Sequence, residues 1–169
     1  MAELLGIEVL EEDKALSSAL YNRSNFGVLK KEKLILSLVE SLYLLEKNKI
    51  EVKKGKRLLK PEDFIREAKK KDKDFLLRYS VYKDLRNRGY VVKTALKYGA
   101  DYRVYPKDKK MGEEHSKWVV FSVHESERFN WKKFVAMNRV AHSTRKSLLI
   151  GVVDDELDVT YYEVNWKRP

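Results

Sequence analysis

The chain has 169 residues, 36 Lys and Arg against 26 Asp and Glu, a formal net charge of +10 and no cysteine. That length suits one medium domain or two small ones, and 43% apolar residues suffice for a packed core. The lack of cysteine excludes disulfides, thiolate metal sites and a cysteine nucleophile. The basic excess is concentrated in residues 75–169, with 19 basic groups against 12 acidic, while residues 1–74 hold 17 against 14. Such an excess favours polyanions, RNA or DNA, over membranes. A lysine-rich solvated surface of the thermophile kind gives the same count, so charge alone does not choose. Residues 1–13 carry five acidic groups and do not read as a signal peptide. The longest apolar runs, such as Leu148–Val153, fall short of the roughly 18–20 residues that span a bilayer. The expectation is a soluble cytoplasmic protein.

In chain order, residues 2–10 read as a short strand or two, Ala15–Tyr21 as a helix and Asn25-Phe26-Gly27 as a turn. Lys31–Lys49 gives the clearest amphipathic helix, with Leu34, Leu38, Val39, Leu42 and Tyr43 along one face. Ile50–Val52 and Arg57–Leu59 suggest a hairpin, and Pro61 opens a helix with Glu62 and Asp63 in its first turn. That helix runs into the charged stretch Lys69–Asp74, which marks a domain boundary. A helix over Phe75–Arg88 stops at Gly89. The period then changes. Tyr90–Thr94, Tyr102–Tyr105, Lys117–His124, Ser147–Val153 and Val159–Trp166 read as strands, interrupted by one helix over Trp131–His142. The chain is thus expected to be an α+β N-terminal domain, residues 1–74, followed by an α/β mixed-sheet domain, residues 75–169.

The three histidines, His115, His124 and His142, are not spaced as a zinc motif, and no phosphate-cradling glycine loop is present. The acidic cluster Asp154-Asp155-Glu156-Leu157-Asp158 lies in a predicted turn and lacks EF-hand spacing. No metal and no cofactor is expected, so metal-free chemistry has to be considered. Tyr105 ends a strand before Pro106, His115 precedes the next strand, and Lys146 begins the strand after the long helix. A phenol, an imidazole and an ammonium meeting at strand ends would make an acid–base site that needs no metal. Each also has a plainer reading: a packing tyrosine, an exposed loop histidine and a solubilising lysine.

Several stretches resemble the catalytic domain of archaeal tRNA-splicing endonucleases. They are Tyr82–Tyr90, Tyr98–Pro106, Glu114-His115-Ser116, Arg139–Lys146 and Thr160-Tyr161-Tyr162. Asn25-Phe26-Gly27 and Ser37–Leu44 resemble that family's N-terminal domain. The resemblance implies a restriction-endonuclease-like catalytic domain that cuts precursor tRNA at a bulge–helix–bulge. It also implies that no metal is used and that 2′,3′-cyclic phosphate and 5′-hydroxyl ends result. It makes Tyr105 the general base, His115 the general acid and Lys146 the cation that stabilises the phosphorane. A phenol titrates near 10 in water, so Tyr105 needs a neighbouring cation such as Lys146 to favour phenolate. Imidazole, near 6.5, suits acid–base work at neutral pH. Arg139 matches one of two arginines that sandwich a bulged base, and Arg168 is the candidate for the other. Asp154, Asp155, Glu156 and Asp158 match a loop that docks on a neighbouring subunit. A homotetramer is the implied assembly, and a heteromeric partner is not excluded.

Overall fold

The computed structural model describes residues 1–107 and 115–169. Glu114, which contributed to the resemblance, lies outside them. The chain divides into two compact units, Met1–Leu76 and Leu77–Pro169.

The first unit comprises β1 (Ala2–Leu5), β2 (Glu8–Glu11), α1 (Lys14–Ser24), β3 (Val28–Lys30), β4 (Lys33–Ser37), α2 (Leu38–Glu46), β5 (Val52–Lys54), β6 (Arg57–Leu59) and α3 (Pro61–Lys69). Its six strands form one sheet in the order β3-β4-β2-β1-β5-β6. Adjacent strands are antiparallel except for β1 and β5, which pair in parallel through Ala2 with Val52 and Glu3 with Lys53. Leu34, Leu36, Leu42, Leu44, Val52 and Phe64 are almost completely buried.

The helix read over Lys31–Lys49 is corrected here: only Leu38–Glu46 is helical, and Lys33–Ser37 is a strand. Lys31 and Glu32 both take positive φ, 49° and 66°, and form the two-residue turn that joins β3 to β4. Leu34 and Leu36 then bury alternate positions, a period of two that the following helical stripe masks. Ser37 ends the strand and caps the helix. Glu40 Oε2 accepts from Ser37 N at 2.9 Å and from Ser37 Oγ at 2.7 Å, and Glu40 Oε1 accepts from Gly27 N at 2.8 Å. One buried carboxylate therefore ties the Asn25–Gly27 turn to the start of α2. Glu40→Ala leaves buried N–H donors without an acceptor, so a loss of about 2–4 kcal/mol is expected in urea unfolding of the full chain.

The second unit holds most of α4 (Phe75–Asn87), then β7 (Val91–Thr94), a 3₁₀ turn (Leu96–Tyr98), β8 (Tyr102–Tyr105), β9 (Trp118–His124), α5 (Trp131–Ser143), β10 (Ser147–Val153) and β11 (Val159–Val164). The sheet order is β11-β10-β9-β8-β7, with β9 and β10 parallel and the other neighbours antiparallel. The parallel pair follows from α5, since a crossover helix returns the chain to the same end of the sheet. On one face Met137 and Ala141 of α5 pack with Val119, Val123, Leu148 and Ile150. On the other, α4 comes so close that a Cβ on Gly151 would stand 3.0 Å from Val81. Tyr102 hydroxyl donates to Arg78 O at 2.8 Å on the same side.

Candidate active site

Three adjoining strands end together at one edge of the second sheet. Tyr105 is the last residue of β8, where Pro106 supplies no N–H to continue the ladder. The β8–β9 pairing runs out at Val104 opposite Trp118, with Lys117 N donating to Val104 O at 2.9 Å. His115 is two residues earlier, at the entry to β9. The β9–β10 pairing starts with Trp118 opposite Ser147, and Ser147 N donates to Lys117 O at 3.0 Å. Lys146 stands immediately before that strand. Because β8 runs against β9 while β9 and β10 run together, the end of β8 and the starts of β9 and β10 share one edge. The fold thus brings Tyr105, His115 and Lys146 to one place from positions up to 41 residues apart in sequence.

The three environments differ. Tyr105 is 7% exposed, His115 is exposed and Lys146 is half-buried. Lys146 is placed by the way α5 stops. Arg145 takes the left-handed conformation, φ 55°, Arg145 N donates to His142 O, and Lys146 N donates to Ala141 O at 2.9 Å. This is the bond pattern of a Schellman cap with arginine where glycine is usual, a strain of roughly 1 kcal/mol. The cap reverses the chain within two residues and delivers Lys146 to the head of β10. Its ammonium donates to Ser116 O at 3.0 Å, next to His115. Burial pushes the Lys146 ammonium below the usual lysine range, and repulsion from Arg103 adds to the effect. A partly desolvated ammonium of this kind gains from any anion that reaches it.

Beside Lys146 lies a recess of about 410 Å³ lined by Lys117, Asn138, His142, Arg145, Lys146 and Trp166, among others, with no carboxylate in its wall. A second recess of about 400 Å³ adjoins it and includes Arg139 and Lys167. Arg139 is exposed on α5. Arg168 is exposed in the tail beyond β11 and lines neither recess. Trp166, 60% exposed, instead meets the His142 ring, with centroids 4.6 Å apart. Nothing in the spacing of His142 and Trp166 signals this ring pair, since one closes α5 and the other lies in the tail beyond β11. Arg103 places a charge inside the otherwise uncharged run Tyr102–Tyr105.

The acidic turn between β10 and β11 uses part of its own charge. Asp154 Oδ1 accepts from the Glu156 and Asp158 amides, both at 2.9 Å, and Asp154 N donates to Asp158 O. Leu157 takes φ 68° at the tip. Asp155 Oδ1 lies 3.2 Å from His124 Nε2. Glu156 and Asp158 point into solvent. Among the described residues no three His, Asp or Glu side chains are grouped to hold a metal ion, and no helix is long and apolar enough to cross a membrane.

Comparison with known families and proteins gives a consistent result. Residues 75–161 match the family model for the tRNA intron endonuclease catalytic C-terminal domain, and residues 1–65 match that for its N-terminal domain. A tRNA-splicing endonuclease of Pyrococcus furiosus is 48% identical over 158 residues, covering 94% of this chain and 90% of that protein. That of Thermococcus gammatolerans is 44% identical over 98% of this chain and 96% of its own length. The Methanothermobacter thermautotrophicus protein of the same description is 39% identical with the same coverage.

Proposed function

The chain belongs to the tRNA intron endonuclease family, and from that premise we propose that it excises introns from precursor tRNA at bulge–helix–bulge motifs without using a metal. Tyr105 takes the proton of the ribose 2′-hydroxyl as the 2′-oxygen attacks the adjacent phosphorus. Lys146 stabilises the charge that builds on the non-bridging oxygens. The bond to the 5′-oxygen breaks as His115 gives that oxygen a proton. The products are a 2′,3′-cyclic phosphate and a 5′-hydroxyl, with no water consumed. The observation that carries this reading is the shared strand edge: a base, an acid and a cation at the ends of β8, β9 and β10, with the Lys146 ammonium bonded to Ser116 O beside His115.

Arg139 and Arg168 are assigned to base stacking in the bulge, which is tolerant of sequence and suits recognition of RNA shape. We assign residues 75–169 to a restriction-endonuclease-like catalytic domain and residues 1–74 to the accessory N-terminal domain. Two cleavage sites per intron require two active sites, and closed symmetry favours even assemblies. The assembly proposed is a homotetramer in the cytoplasm. Within it, Asp154, Asp155, Glu156 and Asp158 meet cations of a neighbouring subunit, since clustered carboxylates repel unless they are matched.

Incubation with a bulge–helix–bulge RNA in EDTA is the direct test. Cleavage to cyclic-phosphate ends is the expected result. Binding without cutting would leave an RNA-binding scaffold, and cutting of DNA that needs magnesium would make it a different nuclease. The pH profile adds a second check. The lowered Lys146 value means the cation discharges at a pH below the ordinary lysine value near 10.4. Cleavage is therefore expected to fall as pH rises through that point. In Lys146→Arg, which keeps its charge, the lysine component of that fall should be absent, leaving the fall set by the acid–base pair.

A further inference from the structure

We propose that Arg103 is a further functional residue of this site: the second of two adjoining cations whose missing acceptor is a phosphate of the bound RNA. The inference rests on the reading above and concerns a residue that reading does not use. Arg103 is two residues before Tyr105 on β8, so both side chains leave the same face of the sheet. It stands opposite Val119 of β9, which stands opposite Leu148 of β10, two residues after Lys146. Across three strands, Arg103 thus occupies the row just inside the one that ends in Tyr105 and Lys146.

Among the described residues no carboxylate is paired with it. On β7 its cross-strand partner is Lys93, only 8% exposed and itself a cation. Among the described residues neither Arg103 nor Lys146 forms an ion pair, and the fully shielded Arg103 Nε has no hydrogen-bond partner. A buried guanidinium nitrogen without an acceptor costs on the order of 1–3 kcal/mol, and such a group calls for an explanation. Repulsion from Arg103 also disfavours the charged form of Lys146. A packing role for the arginine stem over Val119 would explain the burial but not the like charge placed near Lys146. A phosphodiester reaching the outer guanidinium nitrogens would meet a charged planar donor, and its negative charge relieves the repulsion between the two cations.

The test uses the full chain and a bulge–helix–bulge RNA under single-turnover conditions, with the wild type assayed first. If the wild type does not cut, the function proposed above fails whatever Arg103 does. Given cutting, Arg103→Met is expected to be about 10²–10³-fold slower, and Arg103→Lys, which keeps a point charge but loses the fork, to recover to within about tenfold of wild type. The high-pH fall assigned to Lys146 should move upward in Arg103→Met, because one cause of its lowered value is gone. That shift reports only the loss of a nearby charge, so the rate loss and its recovery by lysine are what separate a phosphate contact from a packing role. Arg103→Gln serves the same comparison if the methionine variant does not fold. Cleavage by Arg103→Met within threefold of wild type overturns the proposal, wherever the fall lies. So does a rate loss that tracks a lost melting transition in the Met, Gln and Lys variants alike, since the residue is then structural.

Discussion

Replacing His115 with alanine is expected to slow cleavage by about 10²–10⁴-fold while RNA affinity changes by less than threefold. The side chain is exposed at the entry to β9, so little packing is lost, and surface changes of this kind usually stay within about 0.5 kcal/mol. The role assigned to it is proton delivery to the departing 5′-oxygen. An alkoxide is a poor leaving group without that proton. A substrate carrying sulfur at the 5′ bridge departs as a stable thiolate and needs none. His115→Ala should therefore cut the sulfur-bridged RNA nearly as fast as the wild type does, and single-turnover rates on the two RNAs check this. Equal slowing on both would remove histidine from the acid role, and a parallel loss of affinity would make it a binding residue.

Tyr105→Phe is expected to lower the rate by a similar factor of about 10²–10⁴, with the opposite response to sulfur. The ring is almost fully buried at the end of β8, and phenylalanine keeps its shape, so the substitution removes little but the hydroxyl. That hydroxyl is assigned to the 2′-oxygen, whose proton must leave whatever the leaving group is. The sulfur-bridged RNA should give Tyr105→Phe no rescue. The pair of variants separates base from acid without relying on the pH profile. A phenylalanine variant that cuts within threefold of wild type would pass the base role to another group.

Local signals carried most of the secondary structure. Asp13 accepting from Leu16 N at the head of α1, Asn130 accepting from Lys133 N at the head of α5, and Gly89 at φ 91° after α4 are all end signals written in nearby residues. The strand ends that frame Tyr105, His115 and Lys146 were legible for the same reason, through Pro106 and the change from helical to alternating period. What the chain order concealed is non-local. The parallel pairing of β1 with β5 joins residues about fifty apart and is unrelated to any turn signal. The β3–β4 hairpin was lost inside a helix-like stripe because Leu34 fits both periods, and its turn is made by Lys31 and Glu32 in place of the usual glycine or asparagine. Arg103 is conspicuous only once the register shows Lys93 opposite it and Lys146 one row away. The resemblance pointed to Tyr105, His115 and Lys146 as candidates; it pointed to none of their neighbours.

The parallel pairing of β10 with β9 also governs when the cluster comes into existence during synthesis. A nascent chain that has emerged as far as residue 124 possesses β7, β8 and β9, and with them the tyrosine and the histidine. The lysine arrives only after the whole α5 crossover has been made and β10 has found its place beside β9. No ribosome-bound fragment shorter than this can present all three groups to a phosphodiester. On the function proposed above, the RNA-cleaving cluster is incomplete until α5 and β10 have been made.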